Sequence, residues 1–217
     1  MPTIAQVSIS RSSLTLLGKE PWRAAMEFMS FKINDLMQKS PVRAGDGHPV
    51  IIFPGLATDG SGVTPLRDYR KSLGYQAIDW GQGYNIGPKS DLEQWLKELA
   101  SHTANILQSY VQPATLIGWS LGGIYEREMG KLLAPQVRQV INIGTPFNAE
   151  TDHTNVGWLF RLLSGTPAAI KPEMSKRLRI PPPPPTISIY SRSDDVVSWE
   201  TCRHTEPDQA ANAASCG

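Results

Sequence analysis

Five short runs of β-favouring residues punctuate this chain, and helical patterns lie between most of them. They are VIIF at Val50–Phe53, YQAIDW at Tyr75–Trp80, ATLIGW at Ala114–Trp119, VRQVINIG at Val137–Gly144 and TISIY at Thr186–Tyr190. An apolar run without alternation fits a strand buried on both faces, and strands separated by helices pair in parallel. The expected fold is α/β: a three-layer α/β/α sandwich around a mostly parallel sheet.

The segments between the runs support this reading. Glu20–Lys39 has Pro21 at a first helical position and Trp22, Ala25, Met26, Met29 and Ile33 at helical spacing. Val63–Leu73 reads as a helix closed by Gly74. A long helix follows, with Ser90 and Glu93 at capping-box spacing and Leu92, Trp95, Leu96, Leu99, Ile106, Leu107 and Tyr110 toward the core. Leu121–Leu133 reads as a helix with Tyr125, Met129, Leu132 and Leu133 on its apolar side. The rhythm breaks over 146–185, where the apolar VGWLFRLLSG precedes the charged KPEMSKRLR and five prolines, Pro181 to Pro185. We read this segment as a cap inserted within a single domain spanning 1–217.

Composition narrows the function classes. The chain has 217 residues, 40% of them apolar, which suffices for one core. Lys plus Arg number 21 and Asp plus Glu 20, so no basic surface for nucleic acid is expected. Cys202 and Cys216 are the only cysteines. They form neither a disulfide framework nor a C-x-x-C metal pair, though they can pair with each other. No apolar run reaches the 18 residues of a membrane span, and the N-terminus lacks a signal-peptide pattern. A cytoplasmic location is the default expectation.

The chemistry-bearing stretch is Gly118-Trp119-Ser120-Leu121-Gly122, a G-x-S-x-G between an expected strand and an expected helix. Such a turn can expose a serine nucleophile at a helix head. The bland alternative is an ordinary strand–helix turn with a surface serine. The backbone N–H of Leu121 is one candidate oxyanion donor. The loop FPGLATD after the first strand offers a second, the N–H of Leu56, unless it is only a turn. The loop GQGYNIGP carries Gly81, Gly83 and Gly87, but the third glycine is one place late for a dinucleotide loop. It reads as a pocket-edge loop, with no nucleotide implied.

Six stretches in order carry a resemblance: GHPVIIFPGLATD, LGYQAIDWGQGYNIGP, LIGWSLGGIYERE, VRQVINIGTPF, TNVGWLFRLLSG and IYSRSDDVVSW. From about Glu20 to Trp199 the chain resembles the α/β-hydrolases, and among them bacterial esterase- and lipase-like proteins. The resemblance implies a Ser-Asp-His triad in that chain order, hydrolysing esters with no cofactor and no metal. It assigns the nucleophile to Ser120 and the acid to Asp194. Independently, a carboxylate just after a strand can orient an imidazole. Asp195 is the neighbouring alternative, and a turn-forming Asp the bland one.

The base is the open position. His48 precedes the first strand, at the wrong end of the sheet, and His102 sits within the long helix. His153 and His204 are weak substitutes for the base; only His204 follows Asp194. The resemblance places the histidine later, on a loop beyond one more strand, after a segment resembling Ser215-Cys216-Gly217. The chain is therefore expected to stop short of its base, with the last strand and helix missing. The expected function is a serine hydrolase cleaving carboxylic esters through an acyl-enzyme, impaired where the histidine is absent. A non-catalytic binding protein on the same scaffold and an acyltransferase are the alternatives. Trp158, Leu159, Phe160, Leu162 and Leu163 suggest an ester with an apolar acyl group, or simply pack the cap down.

Overall fold

All five expected strands form, and a sixth joins them. The computed structural model describes residues 44–148, 172–192, 197–205 and 210–215. The strands are β1 (Pro49–Phe53), β2 (Gln76–Asp79), β3 (Ala114–Trp119), β4 (Val137–Ile143), β5 (Thr186–Ser191) and β6 (Ala210–Ser215). They form one sheet in the order β2-β1-β3-β4-β5-β6, and every pairing is parallel. The helices are α1 (Thr64–Ser72), α2 (Leu92–Leu107), α3 (Leu121–Leu132) and α4 (Pro172–Arg179). Among the described residues no helix is long and apolar enough to cross a membrane. The helix expected over 20–39 and the apolar stretch 156–165 lie outside the described residues.

Strand order decides where a site can form. The chain runs from β1 outward to β2, then returns to place β3 on the other side of β1. The loops leaving β1 and β3 therefore diverge from adjacent strand ends, which opens a crevice there. In the register, Phe53 lies beside Gly118, so the Pro54 loop and the Ser120 turn leave the sheet side by side.

The core explains why the sheet is buried. All five residues of β1 and all six of β3 are buried. Ile51 and Phe53 pack with Leu116, Val140 and the inner sides of α2 and α3. Val50 and Ile52 alternate to the opposite face and are equally buried, as expected for a parallel sheet covered on both sides. Trp80, Trp95 and Tyr125 cluster between α2 and α3, with Trp80 stacked on Tyr125 at 6.0 Å.

Three local readings change. The N-cap of α2 is Asp91, not Ser90: its carboxylate accepts from the Glu93 amide at 3.0 Å. Asp91→Ala should cost about 1 kcal/mol, seen as a thermal midpoint lowered by about 2–4 °C. Helix α3 is not amphipathic over its first ten residues. Glu126, Arg127 and Glu128 are as buried as Tyr125 and Met129, while Leu132 is exposed. Burial of Arg127 and Glu128 is tolerable because they are hydrogen-bonded, while desolvation pushes the Glu126 carboxyl well up toward its neutral form. Glu128 accepts from Lys131 at 2.6 Å and from Arg177 of α4 at 2.7 Å. Arg127 donates to the carbonyls of Leu178 and Ile180 at 3.1 and 3.2 Å.

The third change is β6. The last strand was expected to be missing, but Ala210–Ser215 pairs along the whole of β5, from Thr186 beside Ala210 to Ser191 beside Ser215. Its sequence, AANAAS, is invisible to strand propensity because alanine and asparagine are depleted in strands. The free edge of β5 supplies the hydrogen bonds that propensity does not. Ala211–Ala214 are exposed at the sheet's edge. Segment 146–185 includes the crossover that parallel neighbours β4 and β5 require, and its described helix α4 packs against α3.

Candidate active site

Ser120 occupies the one residue between β3 and α3. Its backbone has φ 52° and ψ −118°, a region that non-glycine residues rarely adopt. Hydrogen bonds hold it there: its N–H donates to the Ile143 carbonyl at 2.9 Å, and its carbonyl accepts from the Gly123 N–H at 3.0 Å. The three glycines around it are required by contact. A Cβ on Gly118 would fall inside 3.0 Å of Glu126 and Gly123, and one on Gly123 would collide with Thr145. One on Gly122 would fall inside 3.0 Å of the Phe53 and Pro54 carbonyl oxygens. The turn thus carries a serine at the head of a twelve-residue helix, directly against the loop leaving β1.

That head also carries amide donors. Leu121 is the first residue of α3, so its N–H has no partner within the helix. In the loop leaving β1, the Ala57 N–H donates to the Asn85 carbonyl at 2.7 Å. The Leu56 N–H makes no backbone bond among the described residues. Both donors named from sequence therefore sit on adjoining loops at one end of the sheet.

The other expected members are placed differently. Asp194, its neighbour Asp195 and His153 lie outside the described residues, as does Cys216. The loop containing Asp194 follows β5, whose parallel direction ends it at the same end of the sheet as β3. His48 sits at the far end: its Nε2 meets Thr115 Oγ1 at 2.8 Å, beside Asp46 and Arg138. Nε2 of His102 donates to the Trp80 carbonyl at 3.1 Å.

His204 faces a different partner from the serine. It is buried, its ring lies 4.5 Å from Phe147, and its Nε2 accepts from Arg127 Nη1 at 3.2 Å. Asn212 of β6 grips its backbone, accepting from the N–H and donating to the carbonyl, both at 3.0 Å. Arg127 lies seven residues beyond Ser120, about 10 Å down the helix axis. No described residue hydrogen-bonds the Ser120 hydroxyl. Burial, and then the Arg127 charge, hold the His204 imidazole down to about 4. A lone pair already bonded to a guanidinium, on a ring that neutral at pH 7, is a poor proton acceptor.

This burial has a stability signature. The folded state of His204 takes up its proton only near pH 4, whereas the unfolded chain does so near pH 6.5. Between those values the unfolded state binds more protons, so stability falls as pH falls through that window. The loss is on the order of 2 kcal/mol after discounting for solvent screening. Thermal melts from pH 7 to pH 4 should show it, and His204→Gln should flatten that part of the profile.

Sequence reading missed two features of the site. Arg127, which ties α3 to the carbonyls at the end of α4, carried no sequence signal that set it apart. Asn85, fully buried in the GQGYNIGP loop, was hidden among its turn-forming neighbours. A polar residue between two glycines and two apolar residues was the available signal.

Neither a family model nor a curated protein matches the sequence. Solved structures do match. Monoacylglycerol lipase of Paleococcus ferrophilus aligns over 78% of this chain and 84% of its own, at 13% identity and TM-score 0.57. The mature lipase BlEst2 of Bacillus licheniformis aligns over 81% and 86%, at 15% identity and TM-score 0.56. MGS-MChE2, an α/β hydrolase from a lagoon-sediment metagenome in Morocco, aligns over 81% and 84%, at 20% identity and TM-score 0.52. At such identities the likeness is one of fold, and it agrees with the all-parallel sheet and its flanking helices: the chain has the α/β-hydrolase fold.

Proposed function

We propose that this chain is a serine hydrolase of carboxylic esters, with Ser120 as nucleophile and an acyl-enzyme as intermediate. The observation that carries the reading is the strained Ser120 turn packed, through Gly122, against the loop that bears Leu56. A hydroxyl held there attacks an ester carbonyl, and the amides of Leu56 and Leu121 stabilise the oxyanion that forms. Asp194 serves as the acid that orients the base. The neighbours' lipase and esterase descriptions favour ester substrates, and segment 146–185 acts as the cap that lines the acyl side.

The base is a histidine other than His204. His153 is one source. The resemblance would place the base after β6, where the sequence holds only Cys216 and Gly217. Ser215 ends β6 at the same end of the sheet as Ser120, three strands away, or about 14 Å. A loop of ordinary length spans that distance.

The test is reaction with a fluorophosphonate followed by peptide mass spectrometry. The expected result is one adduct, on Ser120. An adduct elsewhere removes Ser120 as nucleophile, and none while an ester still binds supports a binding protein on this scaffold instead. Product analysis with an added alcohol separates hydrolysis from acyl transfer.

A further inference from the structure

Asn85 is fully buried, while its neighbours Tyr84 and Ile86 are exposed. A buried amide must find partners, and Asn85 finds them in one place. Its Nδ2 donates to the Pro54 carbonyl at 2.8 Å. Its backbone N–H donates to the Thr58 carbonyl, and its carbonyl accepts from the Ala57 N–H, both at 2.7 Å. Its Oδ1 accepts from the Gly87 N–H at 3.2 Å, which fixes the amide's own orientation.

These bonds bracket two residues, Gly55 and Leu56. They consume the Pro54 carbonyl on one side of Leu56, and the Ala57 amide and Thr58 carbonyl on the other. Ala57 is held at φ 57°, a left-handed conformation that a side-chain-bearing residue keeps only where its surroundings impose it. The Pro54 carbonyl lies against Gly122, so the same peptide that Asn85 grips also abuts the serine turn. Between Pro54 and Ala57 the Leu56 amide makes no backbone bond among the described residues.

We propose that Asn85 is the positioning residue of the oxyanion loop: its side chain sets the Pro54–Gly55 peptide so that the Leu56 N–H stays free and aimed at the reacting carbonyl. The proposal rests on the reading of the chain as an acyl hydrolase. It predicts that Asn85 affects the Leu56 donor and leaves the Leu121 donor unchanged, because Leu121 is set by α3.

The test uses the ¹⁵N-labelled full chain titrated with octanoate, whose carboxylate stands in for the oxyanion. In the native protein the Leu56 and Leu121 amide resonances should shift together. In Asn85→Asp and Asn85→Ser the Leu121 shift should persist. The Leu56 shift should collapse, with octanoate affinity weakened about tenfold. Rescue of the Leu56 shift by no variant except native Asn85 fits the proposal; an equal Leu56 shift in both variants overturns it while leaving the hydrolase reading intact. If neither amide responds in the native protein, the hydrolase reading falls and this proposal with it. A measurement without variants guards against misfolding. Hydrogen exchange of the native chain should show Ala57 protected and Leu56 fast, with octanoate slowing Leu56. A Leu56 amide protected without ligand overturns the proposal.

Discussion

Ester hydrolysis by a form that carries the base should fall by about 10⁴-fold or more when Ser120 becomes alanine, with the fold intact. The hydroxyl is the only atom removed, and the backbone bonds of Ser120 to Ile143 and Gly123 remain. Ser120→Gly separates chemistry from strain. It removes the hydroxyl too, but glycine adopts φ 52° readily, so it should raise stability by about 1 kcal/mol. That corresponds to a midpoint about 2–4 °C higher. Hydrolysis of a p-nitrophenyl ester and thermal melts of the three proteins check both halves. A rate insensitive to Ser120→Ala removes Ser120 from the mechanism.

Gly122→Ala should be strongly damaging for a single methyl group. Its Cβ would press on the carbonyl oxygens of Phe53 and Pro54, which are backbone atoms that cannot rotate aside. Phe53 is fixed by pairing with β3, and Pro54 by its bond from Asn85. Overpacking against a rigid neighbour costs about 3 kcal/mol or more, or a midpoint lowered by about 6–12 °C. A shift of the loop by even a fraction of an ångström also misplaces the Leu56 donor, so residual hydrolysis should drop on the order of 100-fold. A folded Gly122→Ala protein of native stability would contradict the contact between the serine turn and the β1 loop.

Much of the fold was legible because its signals are local. The five strands announced themselves as short β-favouring runs set apart by helical patterns and turn residues, with VIIF of β1 an unbroken apolar run buried throughout. Gly74 closed α1 where a left-handed residue was needed, at φ 93°. The misses were equally physical. AANAAS forms β6 because β5 offers an edge, a fact about the neighbour and not about alanine. Ser90 matched a capping box by spacing, but the next residue, Asp91, took the cap with the stronger acceptor. Glu126, Arg127 and Glu128 carry no local signal of burial, yet all three are fully buried.

The candidate site divides along the same line. Sequence alone determined that a serine stands between a strand and a helix, flanked by glycines, because those residue types are what a strained turn demands. It also named the two amide donors from their places after β1 and β3. Only the tertiary structure decided that those places adjoin, since strand order brings β1 beside β3 and no local pattern encodes that order. Only the tertiary structure assigned His204 to Arg127, because a histidine's partner is whatever the packed chain puts within 3.2 Å of its ring nitrogen. And only the fold revealed Asn85 as the clasp of the Leu56 loop. Its bonds span up to 31 residues of chain, a distance across which sequence carries composition but no geometry.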